Sequence, residues 1–77
     1  MYSFRAVLDE KNIARSLKTR NPETAARQAF LYAMQHGGND AKHFQVRLYR
    51  DCKLAAASAG YGWHVMDKTL PTTAFYN

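Results

Sequence analysis

The segment NPETAARQAFLYAMQHGG, residues 21–38, contains the most complete helix signal in this chain. Asn21 can accept hydrogen bonds from the free amides of a first turn, Pro22 suits the first helical position, and Glu23 complements the helix dipole. The pattern predicts a helix that runs to about Gln35, with a histidine in its last turn and a Gly-Gly pair that ends it.

The two faces of this predicted helix differ in side-chain size. The inner face carries small residues, with Phe30 at one flank: Ala25, Ala26, Ala29 and Ala33. The outer face carries larger and mostly polar side chains: Arg27, Gln28, Leu31 and Gln35. Because a stripe of small side chains lets a helix lie close to its neighbour, we expect a sheet to pack on the alanine side.

Two alternating segments precede the helix. Residues 2–8 alternate with the period of a half-buried strand, and residues 9–12 form a polar turn. Residues 13–19 alternate loosely and place Arg15 on the inward side. An edge strand accommodates such an arginine because its aliphatic stem can lie across the core. A short helix over residues 9–18 is the alternative.

A second group of strands follows the helix. Residues 43–50 alternate clearly, with three apolar side chains inward, namely Phe44, Val46 and Leu48. Their polar neighbours face outward, namely His43, Gln45, Arg47 and Tyr49. Residues 50–53 predict a tight turn into 53–59, which is a strand of a hairpin or, capped by Asp51, a short helix. Residues 61–66 have the composition of a further strand.

These elements predict an α+β fold of order β-β-α-β-β. Consecutive hairpins imply an antiparallel sheet of about four strands, with one helix packed on one face. Residues 1–77 show no internal repeat or linker, so we expect a single domain, in which 67–77 is a flexible or back-folding tail. Seventy-seven residues suffice for one modest core.

The charge of the chain favours an acidic partner. Eleven Lys and Arg against six Asp and Glu give a net charge of +5 and a pI near 9.7. Such an excess attracts nucleic acid or an acidic protein surface, although it also serves solubility alone.

The residues that could carry catalysis or bind metal are scattered. His36, His43, Cys52 and His64 match no spacing of zinc ligands, and Cys52 has no recognisable base beside it. The Gly-Gly pair follows a helix, where it cannot cradle a phosphate. We therefore predict no catalytic residue, no metal and no cofactor, and expect a protein that binds rather than catalyses.

The expected compartment is the cytoplasm. Cys52 is the single cysteine, so no internal disulfide can form. Met1 leads into an alternating segment without the charged-then-apolar pattern of a signal peptide, and no apolar run approaches membrane-spanning length.

Two surfaces are candidates for binding. The first is the outward sheet face, where cations could neutralise an acidic partner and an aromatic could stack on an unpaired base; its residues are Arg5, Lys18, His43, Gln45, Arg47 and Tyr49. The second is the outer helix face around Arg27 and Leu31, which could also support a homodimer, as could a sheet edge. Beside these two surfaces, the aromatic residues near the end are a candidate, because aromatic side chains anchor protein interfaces: Tyr61, Trp63, Phe75 and Tyr76. The favoured interpretation is that Trp63 is a core residue and that Phe75 and Tyr76 fold back onto the core.

The overall plan resembles the small proteins that phages and other mobile elements encode, anti-CRISPR proteins among them. The resemblance lies in the size, in a hairpin through residues 2–19, in the Asn21-Pro22-Glu23-Thr24-Ala25-Ala26 helix start, and in a further hairpin after the glycines. It implies a non-enzymatic inhibitor that docks on a host defence complex in the host cytoplasm, such as a Cas protein or ribonucleoprotein. Such an inhibitor blocks target DNA binding or nuclease recruitment. The alternative function is a small basic nucleic-acid-binding module.

Overall fold

A computed structural model describes residues 1–59 and 62–70 of the chain. Its regular elements are five strands and one helix: β1 (Tyr2–Leu8), β2 (Lys11–Ser16), α1 (Pro22–Ala33), β3 (Phe44–Arg50), β4 (Lys53–Ala59) and β5 (Gly62–Val65). The predicted α+β class is confirmed, with five strands where about four were expected. The fifth, β5, lies within the segment 61–66 whose composition predicts a further strand.

The strands form one antiparallel sheet in the order β2-β1-β3-β4-β5. Since β2 and β3 both run antiparallel to β1, they point in the same direction on either side of it. The connection between them contains α1, which contacts β1 and β3 and covers one face of the sheet. The opposite face is left without a covering element among the described residues.

The first hairpin has a tighter turn than the polar pattern suggested. Leu8 pairs with Lys11, so the turn consists of two residues, and Asp9 adopts a left-handed φ of 55°. The alternative helix over residues 9–18 is wrong, because residues 11–16 pair with β1 as a strand. β2 is an edge strand. Its Arg15 extends toward α1 and donates a hydrogen bond from Nε to the Tyr32 hydroxyl at 3.1 Å.

The start of α1 is capped as predicted. The Asn21 side-chain oxygen accepts hydrogen bonds from the amides of Glu23 at 2.9 Å and Thr24 at 3.2 Å. Pro22 occupies the first helical position, where its missing N–H costs nothing. None of the described helices is long and apolar enough to cross a membrane.

We expect Asn21→Ala to lower the free energy of unfolding by about 1 kcal/mol, because two amides of the first turn lose their acceptor. A thermal or urea melt measures the change. Thr24→Ala is the control, since its backbone amide is retained. Equal stability of the Asn21 variant and the wild type would contradict the cap.

The alanine stripe of α1 is the layer between helix and sheet. All four of its members are buried: Ala25, Ala26, Ala29 and Ala33. They pack over the sheet core formed by Phe4, Val46, Leu48 and their neighbours. The helix ends two residues earlier than expected, in a π-type turn over Met34–Gly38, where Gly37 has a φ of 114°. Only glycine adopts that conformation readily.

The second hairpin confirms residues 53–59 as a strand rather than a helix. Asp51 and Cys52 form its two-residue turn, with left-handed φ values of 51° and 68°. Leu48 pairs with Ala56 but Tyr49 pairs with Leu54, so Ala55 is an extra residue in β4. The Ala55 carbonyl at this bulge accepts hydrogen bonds from the amides of Met66 and Asp67.

The described residues after β5 return to the sheet. Arg50 contacts Asp67 at 2.6 Å and Thr69 at 2.8 Å, and Leu70 is buried in the core. Hydrogen bonds from the Thr69 amide and hydroxyl hold the pKa of the Asp67 carboxyl below its ordinary value, and Arg50 adds to this. Trp63 is buried, as predicted. Residues 60, 61 and 71–77 lie outside the described residues, and with them most of the predicted tail, including Phe75 and Tyr76.

Ser58 is a polar residue in the middle of the core. It is 1% exposed, between Val46 on β3 and Trp63 on β5, and its hydroxyl oxygen has no hydrogen-bond partner among the described residues. We expect Ser58→Ala to raise the free energy of unfolding by about 1 kcal/mol, because an unpaired hydroxyl is removed from an apolar site. Chemical denaturation measures this, with Ser16→Ala on the exposed edge as the neutral control. A loss of stability at Ser58 would show that the hydroxyl has a partner.

Candidate functional site

The candidate site is the sheet face opposite α1, which we call the outer face. Strand alternation and pairing place twelve described residues on it: Ser3, Arg5, Val7, Asn12, Ala14, Ser16, Gln45, Arg47, Tyr49, Leu54, Ala57 and His64. Because the other face packs on the helix, this is the face that the described strands leave open to a partner.

Arg5 and Arg47 lie at the centre of the outer face, directly opposite each other on β1 and β3. The same row continues to Ala14 on one side and to Ala57 and His64 on the other. Both arginines are exposed, and neither has an ion-pair partner within residues 1–59 and 62–70. Like charges in directly opposed positions destabilise a sheet, so this pair is a local excess of positive charge.

Tyr49 contributes an aromatic ring beside the arginines. The Arg5 guanidinium carbon lies 5.9 Å from the centre of the Tyr49 ring, in a cation–π contact. Tyr49 is half-buried, and Arg5 occupies one side of its ring. This contact holds Arg5 in place and leaves less of the ring open for stacking.

A shallow depression of about 350 Å³ lies next to the arginine pair. Arg5 and Arg47 both border it, together with Val7, Asn12 and Ala14. The small side chain of Ala14 leaves the space open, and the Asn12 amide supplies a further hydrogen-bond donor. The lining of the depression therefore combines two cations with a neutral hydrogen-bonding side chain.

The described strands contain no carboxylate. None of the five includes Asp or Glu, whereas together they contain six Lys and Arg: Arg5, Lys11, Arg15, Arg47, Arg50 and Lys53. All six carboxylates of the chain lie in turns, in loops or at the helix start: Asp9, Glu10, Glu23, Asp40, Asp51 and Asp67. The net charge of +5 is therefore distributed unevenly, with the positive excess on the strands.

Two of these carboxylates hold the ends of the sheet together. Asp9 accepts hydrogen bonds from the backbone amides of Lys42 and His43. Asp51 accepts one from the ammonium group of Met1 at 2.7 Å, and this contact lowers the pKa of its carboxyl. Neither group lies on the outer face, so neither neutralises the arginine pair.

The structure brings together four of the predicted binding residues, namely Arg5, Gln45, Arg47 and Tyr49. Lys18 is exposed but lies past the end of β2, after Leu17, whose amide bonds to Tyr2. β3 begins at Phe44, so His43 precedes the strand, and it borders a groove of about 740 Å³ at the end of the sheet. Of the six residues predicted to share this face, four lie on it. Lys18 and His43 lie just beyond the strands, at opposite ends of the sheet.

Arg27 and Leu31 belong to a different surface. Both are exposed on the side of α1 that faces away from the sheet. They are separated from the outer face by the whole thickness of the helix and sheet layers. The two candidate surfaces therefore cannot form one continuous binding site.

The pattern of single strands did not reveal the row from Ala14 to His64. Each member is visible as an outward residue of its own segment, but the row follows from the strand order and register. Within the described part of the chain, no three His, Cys, Asp or Glu side chains are arranged to hold a metal ion.

Comparison with protein-family models, with curated proteins and with solved structures finds no match to this chain.

Proposed function

We propose that this chain is a non-enzymatic binding protein that docks its outer face on an acidic patch of a partner protein. One observation carries the proposal: two exposed arginines oppose each other at the centre of a sheet face that no described element covers, and no described strand holds a carboxylate to neutralise them. An acidic partner would supply counterions and relieve the repulsion between the arginines.

The surroundings of the arginines favour a protein over a nucleic acid. Ala14, Ala57 and the two serines Ser3 and Ser16 make the face flat and open to close packing. Arg5 lies over one side of the Tyr49 ring, so less of that ring is open to stack on an unpaired base. Arginine is also among the residues that anchor protein interfaces most strongly.

A basic nucleic-acid-binding module is the second candidate. It is supported by the presence of Tyr49 on the same face as Arg5 and Arg47, since cations and an aromatic ring together suit a single strand. Phosphate contacts release counterions, so such binding would weaken steeply as salt is added.

The partner class follows from the resemblance in size and topology. A phage-type inhibitor of the anti-CRISPR kind would use the outer face to occupy an acidic patch on a Cas protein or a ribonucleoprotein complex. It would act stoichiometrically in the host cytoplasm, by blocking target DNA binding or nuclease recruitment. Neither step requires a catalytic group of this chain.

A pull-down from host lysate, with and without nuclease, tests the proposal. Two baits are compared, the wild type and the double variant Arg5→Gln, Arg47→Gln. The variant removes both charges and keeps the side chains polar. We expect a protein that the wild type retains after nuclease treatment and that the double variant does not. If the wild type retains only nucleic acid, and this retention is lost with nuclease and falls steeply as salt is added, the proposal is wrong. The chain would then be a nucleic-acid-binding module. Equal retention by both baits would refute the outer face as the docking surface.

A further inference from the structure

β2 has an open hydrogen-bonding edge. The Leu17 amide donates to the Tyr2 carbonyl at 2.8 Å, and the register continues through Ser16 opposite Ser3. Because backbone groups alternate in an antiparallel pair, Ile13 and Arg15 direct their N–H and C=O groups toward β1. The backbone groups of Asn12, Ala14 and Ser16 point away from the sheet. No described strand pairs with this side of β2.

Such an edge can accept a further strand. All three residues whose backbone points outward are exposed. The Ala14 carbonyl accepts a hydrogen bond from Nη1 of Arg15 at 2.7 Å, while Nε of the same guanidinium is held by Tyr32. Arg15 thus covers one acceptor of the edge, and no described strand pairs with the Asn12, Ala14 or Ser16 amides.

The charge around the β2 edge indicates which kind of segment would pair with it. Residues 11–20 contain four cations and no carboxylate: Lys11, Arg15, Lys18 and Arg20. Two copies of β2 placed side by side would bring these cations together, which disfavours self-pairing. An extended segment with Asp or Glu at alternate positions would pair with the backbone and neutralise them.

We propose that β2 accepts an extended acidic segment of the partner protein as a sixth strand of the sheet. The inference rests on the proposed function in that the partner is an acidic protein, and it adds the mode of docking. Asn12, Ala14 and Ser16 have their backbone groups on the open edge and their side chains on the outer face. An added strand would therefore lie beside the outer face and extend it. On binding, the Arg15 guanidinium leaves the Ala14 carbonyl and turns toward a carboxylate of the incoming segment.

The test uses a labelled peptide of alternating glutamate and valine, as long as β2, and a copy that is N-methylated at every residue, so that neither of its edges offers an N–H group. The N-methylated copy has the same charge but cannot pair with a strand edge. The protein variants are Ala14→Pro, which removes an outward N–H and breaks no bond to β1, and Ala14→Thr, which keeps that N–H. A thermal melt establishes that each variant is folded.

We expect Ala14→Pro to bind the peptide at least about tenfold more weakly than Ala14→Thr does, and the wild type to bind the N-methylated copy little. Hydrogen exchange at the Asn12 and Ser16 amides should slow when the peptide is bound. Equal binding of the two peptides to the wild type overturns the inference, whether or not Ala14→Pro folds. If folded Ala14→Pro retains the partner protein and the Arg5→Gln, Arg47→Gln variant does not, strand addition is wrong while the proposed function stands.

Discussion

The triple variant Arg5→Glu, Lys18→Glu, Arg47→Glu is expected to fold and to bind the protein that the wild type retains at least about 100-fold more weakly. Each substitution changes the charge by two units, so the net charge falls from +5 to −1. Attraction for an acidic patch becomes repulsion at the centre of the interface. All three side chains are exposed, and the main internal interaction that the variant removes is the cation–π pair of Arg5 and Tyr49.

The measurement is a binding titration paired with a thermal melt. The matched control makes the same change of net charge elsewhere, by Arg27→Glu, Lys42→Glu, Lys68→Glu, all at exposed positions away from the outer face. We expect this control to reduce affinity only through the long-range field, which added salt screens. Wild-type affinity in the folded outer-face variant would refute the basic-face hypothesis, and a larger reduction in the control would move the site toward Arg27.

Replacement of Gly38 by alanine is expected to lower the free energy of unfolding by about 2–3 kcal/mol and the melting temperature by about 10–20 °C. A Cβ atom at this buried position would lie 2.7 Å from a ring carbon of Phe44 and 2.8 Å from the Ala33 carbonyl oxygen. The ring cannot simply retreat, because it packs edge-on against Phe30 at a centroid distance of 5.5 Å. The carbonyl belongs to the last turn of α1, so the helix end must shift.

Gly62→Ala is the control for this prediction. A Cβ atom at Gly62 would meet no atom of the described residues within 4 Å, and Gly62 is not among the glycines with a positive φ. The control should therefore stay within about 0.5 kcal/mol of the wild type. Calorimetry on both variants separates the overlap at Gly38 from the general effect of replacing a glycine in this fold. A Gly38 variant as stable as its control would mean that the helix end does not pack on Phe44.

The elements were predictable from sequence because their causes are local. The cap at Asn21 and the alanine stripe lie within one helix, and the alternation of residues 2–8 and 44–50 lies within single strands. The hairpin through Asp51 and Cys52 was harder to infer, since neither residue is glycine and both take a left-handed conformation. The extra Ala55 left no sequence signal, because one more alanine in an alanine-rich strand changes no pattern.

The candidate site was predictable only in part, because it depends on which strands are neighbours. Arg5 and Arg47 are each outward by alternation, but their direct opposition requires β3 to pair with β1 in one particular register. Alternation alone puts His43 on the outer face as the first residue of a strand, whereas β3 begins at Phe44, opposite Leu8. The partner class cannot be read from local patterns at all, since charge and an open face suit many acidic surfaces.

The position of β1 between β2 and β3 has a consequence for folding kinetics. β1 pairs with β2 across a two-residue turn. The backbone hydrogen-bonding groups on the other edge of β1 pair with β3, which follows the helix in the chain. During synthesis the first hairpin and α1 can form while that side of β1 is still bare. Closure of the sheet must then bring distant segments together, which is the slow kind of step in sheet formation. We therefore expect the nascent chain to be most prone to misassociation through β1 until Phe44–Arg50 has left the ribosome.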